Sequence, residues 1–389
     1  MKKLIPLPFI SLLHDQLTHN PQFIQIIIGP RQVGKTTSIL NYLETHHANL
    51  YHFHSSDKIS GGIAWITEIW LKARAQGVLL VIDEIQKIEN WGEIVKKLWD
   101  EEKRLKNPIP CILLGSSSLD LHVGMSESLT GRFQLINTYQ WNFYESKLGY
   151  QLTFDEYMKF GGYPGSYELI KNPIQWRDYI RHSILDTVIE KDILLNHKVK
   201  SPSLFRQAFD LLISYPAQEI SYTKLLGQLQ DKGNTDLIKG YIKLFEGAFL
   251  LRALDKFSTN KIKKRTSSPK ILPLCPAFSY INEMEDYSSE MKGHVFEAMV
   301  GAVLVRTGFE LYYWREGQHE VDFVLKFGKK IWAIEVKSGR RKKMEGLNQF
   351  VTNFPQGIPV IVTLRNYQLL EDDPLSFLGI TKTKERALG

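Results

Sequence analysis

The sequence predicts an α/β chain of 389 residues: a parallel sheet covered by helices, then a helical region, then a second, smaller α/β unit. Three observations carry that prediction. Over the first ~150 residues, short apolar segments alternate with amphipathic ones, the pattern of a parallel sheet covered on both faces. One apolar segment, Phe23 to Ile28, runs directly into Gly29-Pro30-Arg31-Gln32-Val33-Gly34-Lys35-Thr36, which reads G-x-x-x-x-G-K-T. From Leu204 to Phe257 the period changes to three short helices and a hairpin-like tail, the spacing of a winged helix.

The glycine loop is a phosphate-binding P-loop. Its glycines let the backbone curl so that Gly29, Pro30, Arg31, Gln32, Val33, Gly34, Lys35, Thr36 and Thr37 line one cradle, each but Pro30 with a backbone N–H. The helix that follows, through Thr37-Ser38-Ile39-Leu40, adds the positive end of its dipole. Lys35 is placed to reach the β- and γ-phosphates, and the Thr36 hydroxyl to ligate Mg²⁺. ATP and Mg²⁺ are the implied cofactors.

Next come a strand at Leu50-Tyr51-His52-Phe53 and a helix through Ile63 to Ile66. The strand Val78 to Ile82 then delivers Asp83 and Glu84 at its carboxyl end. This is the Walker B arrangement, in which Asp83 holds the Mg²⁺ shell and Glu84 orients and deprotonates the attacking water. After a helix around Val95 to Trp99, the strand Cys111 to Leu114 ends in Gly115-Ser116-Ser117-Ser118. Where an extra strand lies between the P-loop and Walker B strands, a polar side chain here senses the γ-phosphate; Ser116 or Ser117 fits. Arg132 follows Gly131 before the strand Phe133 to Ile136. It reads either as an arginine finger for a neighbouring subunit or as a structural ion pair. Residues from about 153 to 200 read as helical. Ser221 is placed as the N-cap of the helix carrying Leu225 and Leu226, and residues 261–270 read as a linker.

The last third holds a second constellation. Alternation along Glu320 to Phe327 puts Val321, Phe323, Leu325 and Phe327 on one face and Asp322 on the other. Gly328 turns the chain into Ile331 to Lys337, where Glu335 and Lys337 share a face. Glu297 lies on the apolar face of a helix with Val300 and Leu304, a costly place for a carboxylate without a partner. Asp322, Glu335 and Glu297 are thus expected to share a divalent cation, with Lys337 activating water or stabilising charge. The competing reading is an ion-paired sheet surface.

Composition bounds these readings. The hydrophobic share of 43% and charged share of 23% are those of a globular protein. No apolar run approaches the ~18 residues of a membrane span. Met1 to Pro8 carries two prolines and is read as mature protein, with no signal peptide. Cys111 and Cys275 are the only cysteines, which fits a reducing cytoplasm. The formal charge is +7, and residues 261–343 hold 16 Lys and Arg against 10 Asp and Glu. The runs Lys261 to Arg265 and Arg340 to Lys343 therefore suggest a nucleic-acid surface, DNA foremost, against the plainer reading of solvated loops.

Taken together, these motifs resemble the prokaryotic AAA+ ATP-binding proteins that carry a C-terminal PD-(D/E)xK nuclease-like domain. The resemblance runs through the P-loop (29–37), Asp-Glu-Ile-Gln-Lys (83–87), Gly-Ser-Ser (115–117) and Leu-Thr-Gly-Arg (129–132). It continues in Gly-Gly-Tyr-Pro (161–164), Leu185-Asp186, Lys191-Asp192-Ile193, Gly-His-Val-Phe-Glu (293–297), Glu-Val-Asp-Phe (320–323) and Glu-Val-Lys-Ser-Gly (335–339). Two departures stand out. Gln140-Trp141-Asn142-Phe143 replaces the family's Pro-Leu-Ser-Phe, and an acid common before the nuclease-like helix is absent from Leu274 to Phe278.

The resemblance implies an AAA+-type ATPase domain at 1–152, a helical lid plus winged-helix-like domain at 153–260, and a restriction-endonuclease-like α/β domain at 261–389. It implies an ATPase, with a homo-oligomer as a possible assembly and no membrane association. The alternative is an ATP-gated interaction module whose nuclease-like domain is inactive.

Overall fold

A computed structural model describes residues 4–19, 23–56, 62–106, 108–116, 129–229, 234–258, 267–339 and 344–380. Ser117, the runs Lys261 to Arg265 and Arg340 to Lys343, and the turn at 231–233 lie outside the described residues. The chain divides into two compact units. The first comprises residues 1–139, 184–198 and 247–249; the second comprises 140–183, 199–246 and 250–389.

The first unit is built on a five-stranded parallel sheet. Its strands are β1 (Ile24–Ile28), β2 (Tyr51–Ser55), β3 (Leu79–Asp83), β4 (Cys111–Gly115) and β5 (Phe133–Asn137), in the order β2-β3-β4-β1-β5. Strand β4 is thus the extra strand between the P-loop and Asp83 strands. Strands β1, β3 and β4 are buried along their whole length, so they read as apolar runs rather than as alternation. Helices α1 (Pro8–His19), α2 (Lys35–His46), α3 (Gly62–Gln76) and α4 (Trp91–Leu105) accompany the sheet. In register, Ile28 pairs with both Gly115 and Asn137, and Ser55 with Asp83. The carboxyl ends of the strands therefore finish at one edge, where ligands of open α/β sheets bind.

The second unit opens with α5 (Phe143–Tyr150), capped by a box in which Asn142 accepts from Glu145 N and the Glu145 side chain accepts from Asn142 N. Asn142 thus caps where the resembling family carries Ser. The buried Glu371 carboxylate also accepts from Phe143 N at 2.9 Å and Tyr144 N at 2.8 Å. Helices α6 (Phe154–Phe160) and α7 (Pro173–Asp178) follow.

Then come α8 (Pro202–Ile213), β6 (Gln218–Glu219), α9 (Tyr222–Gln228), α10 (Thr235–Gly247), β7 (Leu251–Leu254) and β8 (Lys270–Pro273). The three strands pair antiparallel in the order β6-β8-β7. Ser221 caps α9 by accepting from Lys224 N at 3.1 Å, as its position suggests. Phe205, Phe209 and Phe245 clasp α8 to α10, each burial stabilising by roughly 1.5–3 kcal/mol.

After α11 (Pro276–Glu283) and α12 (Ser289–Arg306), a mixed sheet forms from β9 (Glu310–Glu316), β10 (His319–Phe327), β11 (Lys330–Lys337) and β12 (Gly357–Thr363). Strands β9, β10 and β11 are antiparallel neighbours, and β12 lies parallel to β11. Helix α13 (Glu345–Asn353) covers one face with Leu347 and Phe350 against Val321, Val324 and Trp314.

That cluster corrects the strict alternation read along β10. A register shift between Val321 and Val324 puts both valines under α13, while Phe323 meets Gly301 of α12. A bulge adds a residue to one strand, so the period of two is broken there. Phe327, placed by alternation on the face of Val321, Phe323 and Leu325, is 51% exposed and stacks on Phe309.

Gly29 illustrates how tightly the P-loop is held. A Cβ there would lie 1.9 Å from Thr138 Oγ1 and 2.6 Å from the Thr138 carbonyl oxygen. Gly29→Ala is expected to destabilise the protein by about 1–3 kcal/mol through overpacking. Urea unfolding should show it, and Thr138→Ala should relieve only part, because the backbone carbonyl remains.

Candidate functional site

The loop after β1 curls back on its own lysine. Gly34 sits at φ 89° and Gln32 at φ 58°, so two residues of the loop take the left-handed conformation. Lys35, 8% exposed, donates to Gly29 O at 2.9 Å and Pro30 O at 2.6 Å. Burial pushes its ammonium down to about 8, against the pull of Glu84 and Asp83. An ammonium that is buried and, among the described residues, bonded only to neutral carbonyls is a place where an anion is welcome. The donor set therefore suits a phosphate. Val33 is buried, whereas Gln32 and Thr37 are exposed.

Thr36 and Asp83 meet across the site, the Thr36 hydroxyl donating to Asp83 Oδ2 at 2.8 Å. Two hard oxygens side by side suit Mg²⁺, which takes one or two protein ligands and completes its shell with water and phosphate. The other Asp83 oxygen accepts from Glu84 N at 2.9 Å. Glu84 itself is held at φ 54° and ψ 39°, a left-handed backbone for a residue with a side chain. Such strain persists only where the surroundings fix it. Here the buried Ser56 hydroxyl, just past β2, donates to the carbonyls of Asp83 (3.1 Å) and Glu84 (2.5 Å).

The Glu84 carboxylate is fixed as well. Its Oε2 accepts from Gln86 Nε2 at 2.6 Å and from Ser116 Oγ at 3.3 Å, and Gln86 Nε2 also donates to Ser116 Oγ at 3.1 Å. Ser116 thus reaches the site from the end of β4. Gln86 and Ser56 were missed as site residues. Gln86 lay in a motif already quoted, and Ser56 had no local signal.

The two arginines singled out in the nucleotide-site motifs, Arg31 and Arg132, have defined partners. Arg31, inside the P-loop, grips Asp192 through Nε (2.8 and 3.0 Å) and a terminal nitrogen (2.5 Å). Asp192 is 4% exposed and lies on the π-helical segment Val188–Leu194, within the stretch 184–198 that belongs to the first unit. Both charges act on Lys35 as well. Arg132 forks onto Asp100 of α4, with Nε at 2.7 Å from one oxygen and a terminal nitrogen at 3.0 Å from the other. The geometry is that of an ion pair within the chain.

The C-terminal cluster differs from expectation. Among the described residues no three His, Cys, Asp or Glu gather as a group able to hold a metal. Instead Lys270, read as the end of a linker, opens β8 with 6% exposure. Its ammonium pairs with the Glu297 carboxylate, stands 3.9 Å from Asp322 Oδ1 and donates to the Asp322 carbonyl at 3.2 Å. Lys270 is the missing partner of Glu297. Burial, then the Asp322 charge, push Glu297 up to about 8 against the pull of Lys270. Asp322 Oδ2 accepts from Val336 N at 2.7 Å, across the β10–β11 hairpin. Glu335 pairs with Lys337, as their shared face implies, and burial pushes Glu335 up to about 7. Where a three-carboxylate metal centre was expected, the structure shows Lys270 and Lys337 paired with these carboxylates.

The forked Arg31–Asp192 pair should be measurable. A double-mutant cycle with Arg31→Met and Asp192→Leu, read by urea unfolding, is expected to give a coupling of about 1–3 kcal/mol, as for partly buried charge pairs in contact. A coupling near zero would make the pair incidental.

Comparison with known proteins sets three stretches of the chain beside family models. Residues 151–274 and 292–381 match two family models, each described as a domain of unknown function. Among curated proteins, the uncharacterized protein MJ1544 of Methanocaldococcus jannaschii is 26% identical over 347 residues, covering 81% of this chain and 75% of that protein. An uncharacterized protein of Haemophilus influenzae is 22% identical, covering 81% of this chain and 82% of its own. Among solved structures, the Holliday junction branch migration motor RuvB of Thermotoga maritima superposes with a TM-score of 0.31 at 17% identity, over 62% of this chain and 86% of its own. AMPPCP-bound DnaA from Aquifex aeolicus gives 0.30 at 14%, over 61% and 86%. Residues 21–147 match the family model described as an AAA domain, and the sheet they form has the AAA-type P-loop ATPase fold.

Proposed function

We propose that the protein binds ATP with Mg²⁺, hydrolyses it, and uses the nucleotide state to govern how its second unit engages a partner, DNA foremost. The observation that carries the reading is the meeting of Lys35, Thr36, Asp83, Glu84 and Ser116 at the carboxyl ends of β1, β3 and β4. In this reading the N–H groups of Gly29 to Thr37, Pro30 apart, cradle the phosphates, and Lys35 exchanges its loop carbonyls for β- and γ-phosphate oxygens. Thr36 and Asp83 hold Mg²⁺, which when bound offsets phosphate charge. Glu84 takes the proton of the attacking water, the water oxygen bonds to the γ-phosphorus, and ADP leaves. Ser116 and Gln86 set the angle of the Glu84 carboxylate.

Arg132 we assign to its pair with Asp100. Assembly as a homo-oligomer belongs to the same reading, as does a reducing, cytoplasmic setting, which suits two buried free cysteines. Among the described residues no helix is long and apolar enough to cross a membrane.

Support for DNA comes from topology and charge. The order helix–strand–helix–helix–strand–strand over α8 to β8, with strands in the order β6-β8-β7, is that of a winged helix. The sequence between β7 and β8 contains Lys261, Lys263, Lys264 and Arg265. A second reading, partner recognition without cleavage, is favoured by Lys270 among the carboxylates that a nuclease would give to metal.

Nucleotide titration and phosphate release test the ATPase. Lys35→Ala is expected to weaken ATP binding about 10- to 100-fold, the loss of a charge-assisted contact. Glu84→Gln should keep binding and lose turnover about 10²- to 10⁴-fold, the range of a general base. Undiminished turnover in Glu84→Gln would remove that residue from the mechanism.

For DNA, each phosphate contact contributes about 0.9 to the slope of log affinity against log salt. Replacing Lys261, Lys263, Lys264 and Arg265 by Gln, or Arg340 to Lys343 likewise, should flatten the slope and weaken all duplex sequences alike. An unchanged slope would make these runs solvated loops.

A further inference from the structure

The cluster at the start of β8 contains a charge that the divalent-ion reading has no use for. Lys270 is anchored at both ends. Its backbone is fixed in β8 by pairing with Leu254 on one side and Glu219 on the other. Its ammonium is enclosed by the Glu297 carboxylate, the side chain and carbonyl of Asp322, and the face of the Phe323 ring, whose centroid is 5.2 Å away. Some of the carboxylate oxygens are committed to partners within the protein, while the second Glu335 oxygen is buried without a hydrogen-bond partner among the described residues. Asp322 Oδ2 is bonded to Val336 N, and one Glu335 oxygen is paired with Lys337.

We infer that Lys270 is a built-in cation that stands in place of a divalent metal, so that the Glu297–Asp322–Glu335 cluster is neutralised by the protein's own lysines and holds no metal ion. Three carboxylates faced by Lys270 and Lys337 carry at most one net negative charge. A divalent ion entering there would meet two ammonium groups and would have to displace one of them from its carboxylates. Displacing Lys270 would leave its charge 6% exposed on a strand with no counter-ion, which a protein interior opposes. The carboxylates and the lysine thus stabilise one another. The consequence is a charged centre that sets the packing of β8 on α12 and β10 without metal. The inference does not depend on the nucleotide site, whose turnover is measured separately.

The test uses the full chain without nucleotide, with Mn²⁺ as the probe. Melting temperature and equilibrium dialysis are read for the wild type, Asp322→Asn, Lys270→Arg, Lys270→Met and the double variant Lys270→Met/Asp322→Asn. The wild type and Lys270→Arg are expected to show no Mn²⁺-dependent rise at millimolar metal, and to retain no ion that Asp322→Asn would release. Lys270→Met keeps the length of the stem and removes the charge. It is expected to melt several degrees lower without metal and to recover with Mn²⁺, by linkage of binding to folding. The double variant should lose that recovery. If Lys270→Met does not fold, the dialysis of wild type against Asp322→Asn decides alone. A saturable Mn²⁺ rise in the wild type that Asp322→Asn abolishes would overturn the inference. So would a folded Lys270→Met that gains nothing from the metal.

Discussion

The position of strand β1 governs the rest of the first unit. It lies between β4 and β5, buried from end to end, and its last residue pairs on both sides at once. The loop that follows has no freedom to choose its height above the sheet. Thr138, just past β5, closes on Gly29, and Thr138 N donates back to Ile28 O at 2.7 Å. From that fixed start the loop turns over Lys35, and α2 begins where the lysine is already buried. The acids of β3 come level with it only because β4 spaces the two strands in register.

Two buried lysines show different solutions to one problem. Lys35 is surrounded by neutral carbonyls, and its proton is loosened to about 8. Lys270 is faced by carboxylates, and its proton is held. A charge that must later meet a ligand is left under-compensated, whereas one that serves the fold is matched inside it. In the sequence Lys35 is marked by its glycine loop, whereas Lys270 follows the polar run Thr266-Ser267-Ser268-Pro269 and carries no such mark.

Much of the first unit was legible because its signals are local. The P-loop, the acids closing β3 and the serine closing β4 each sit at the end of an apolar run, and the chain order places them at one edge of the sheet. The partners that complete the site were not legible. Asp192 lies 161 positions from Arg31, and Ser56 lies 27 and 28 positions from the carbonyls it holds. Nothing in the spacing of either announces a contact. In the second unit the hairpin was readable from Gly328 and the flanking periodicity, but the bulge at Asp322 was not, because an extra residue leaves no trace in composition. The same blindness hid Lys270, which follows a run of loop-forming residues and yet starts a strand.

The division of the chain has a consequence for its history. The first unit takes residues 184–198 and 247–249 back from the second, so the polypeptide passes between the units five times rather than once. The stretch that supplies Asp192 to the P-loop is bounded on both sides by residues of the other unit. A module with a single junction can be copied, lost or fused by one recombination event. This one cannot: a gene fragment encoding either unit as a continuous stretch would lack part of its own body. Cutting the chain at any single point therefore leaves at least one of the two units incomplete.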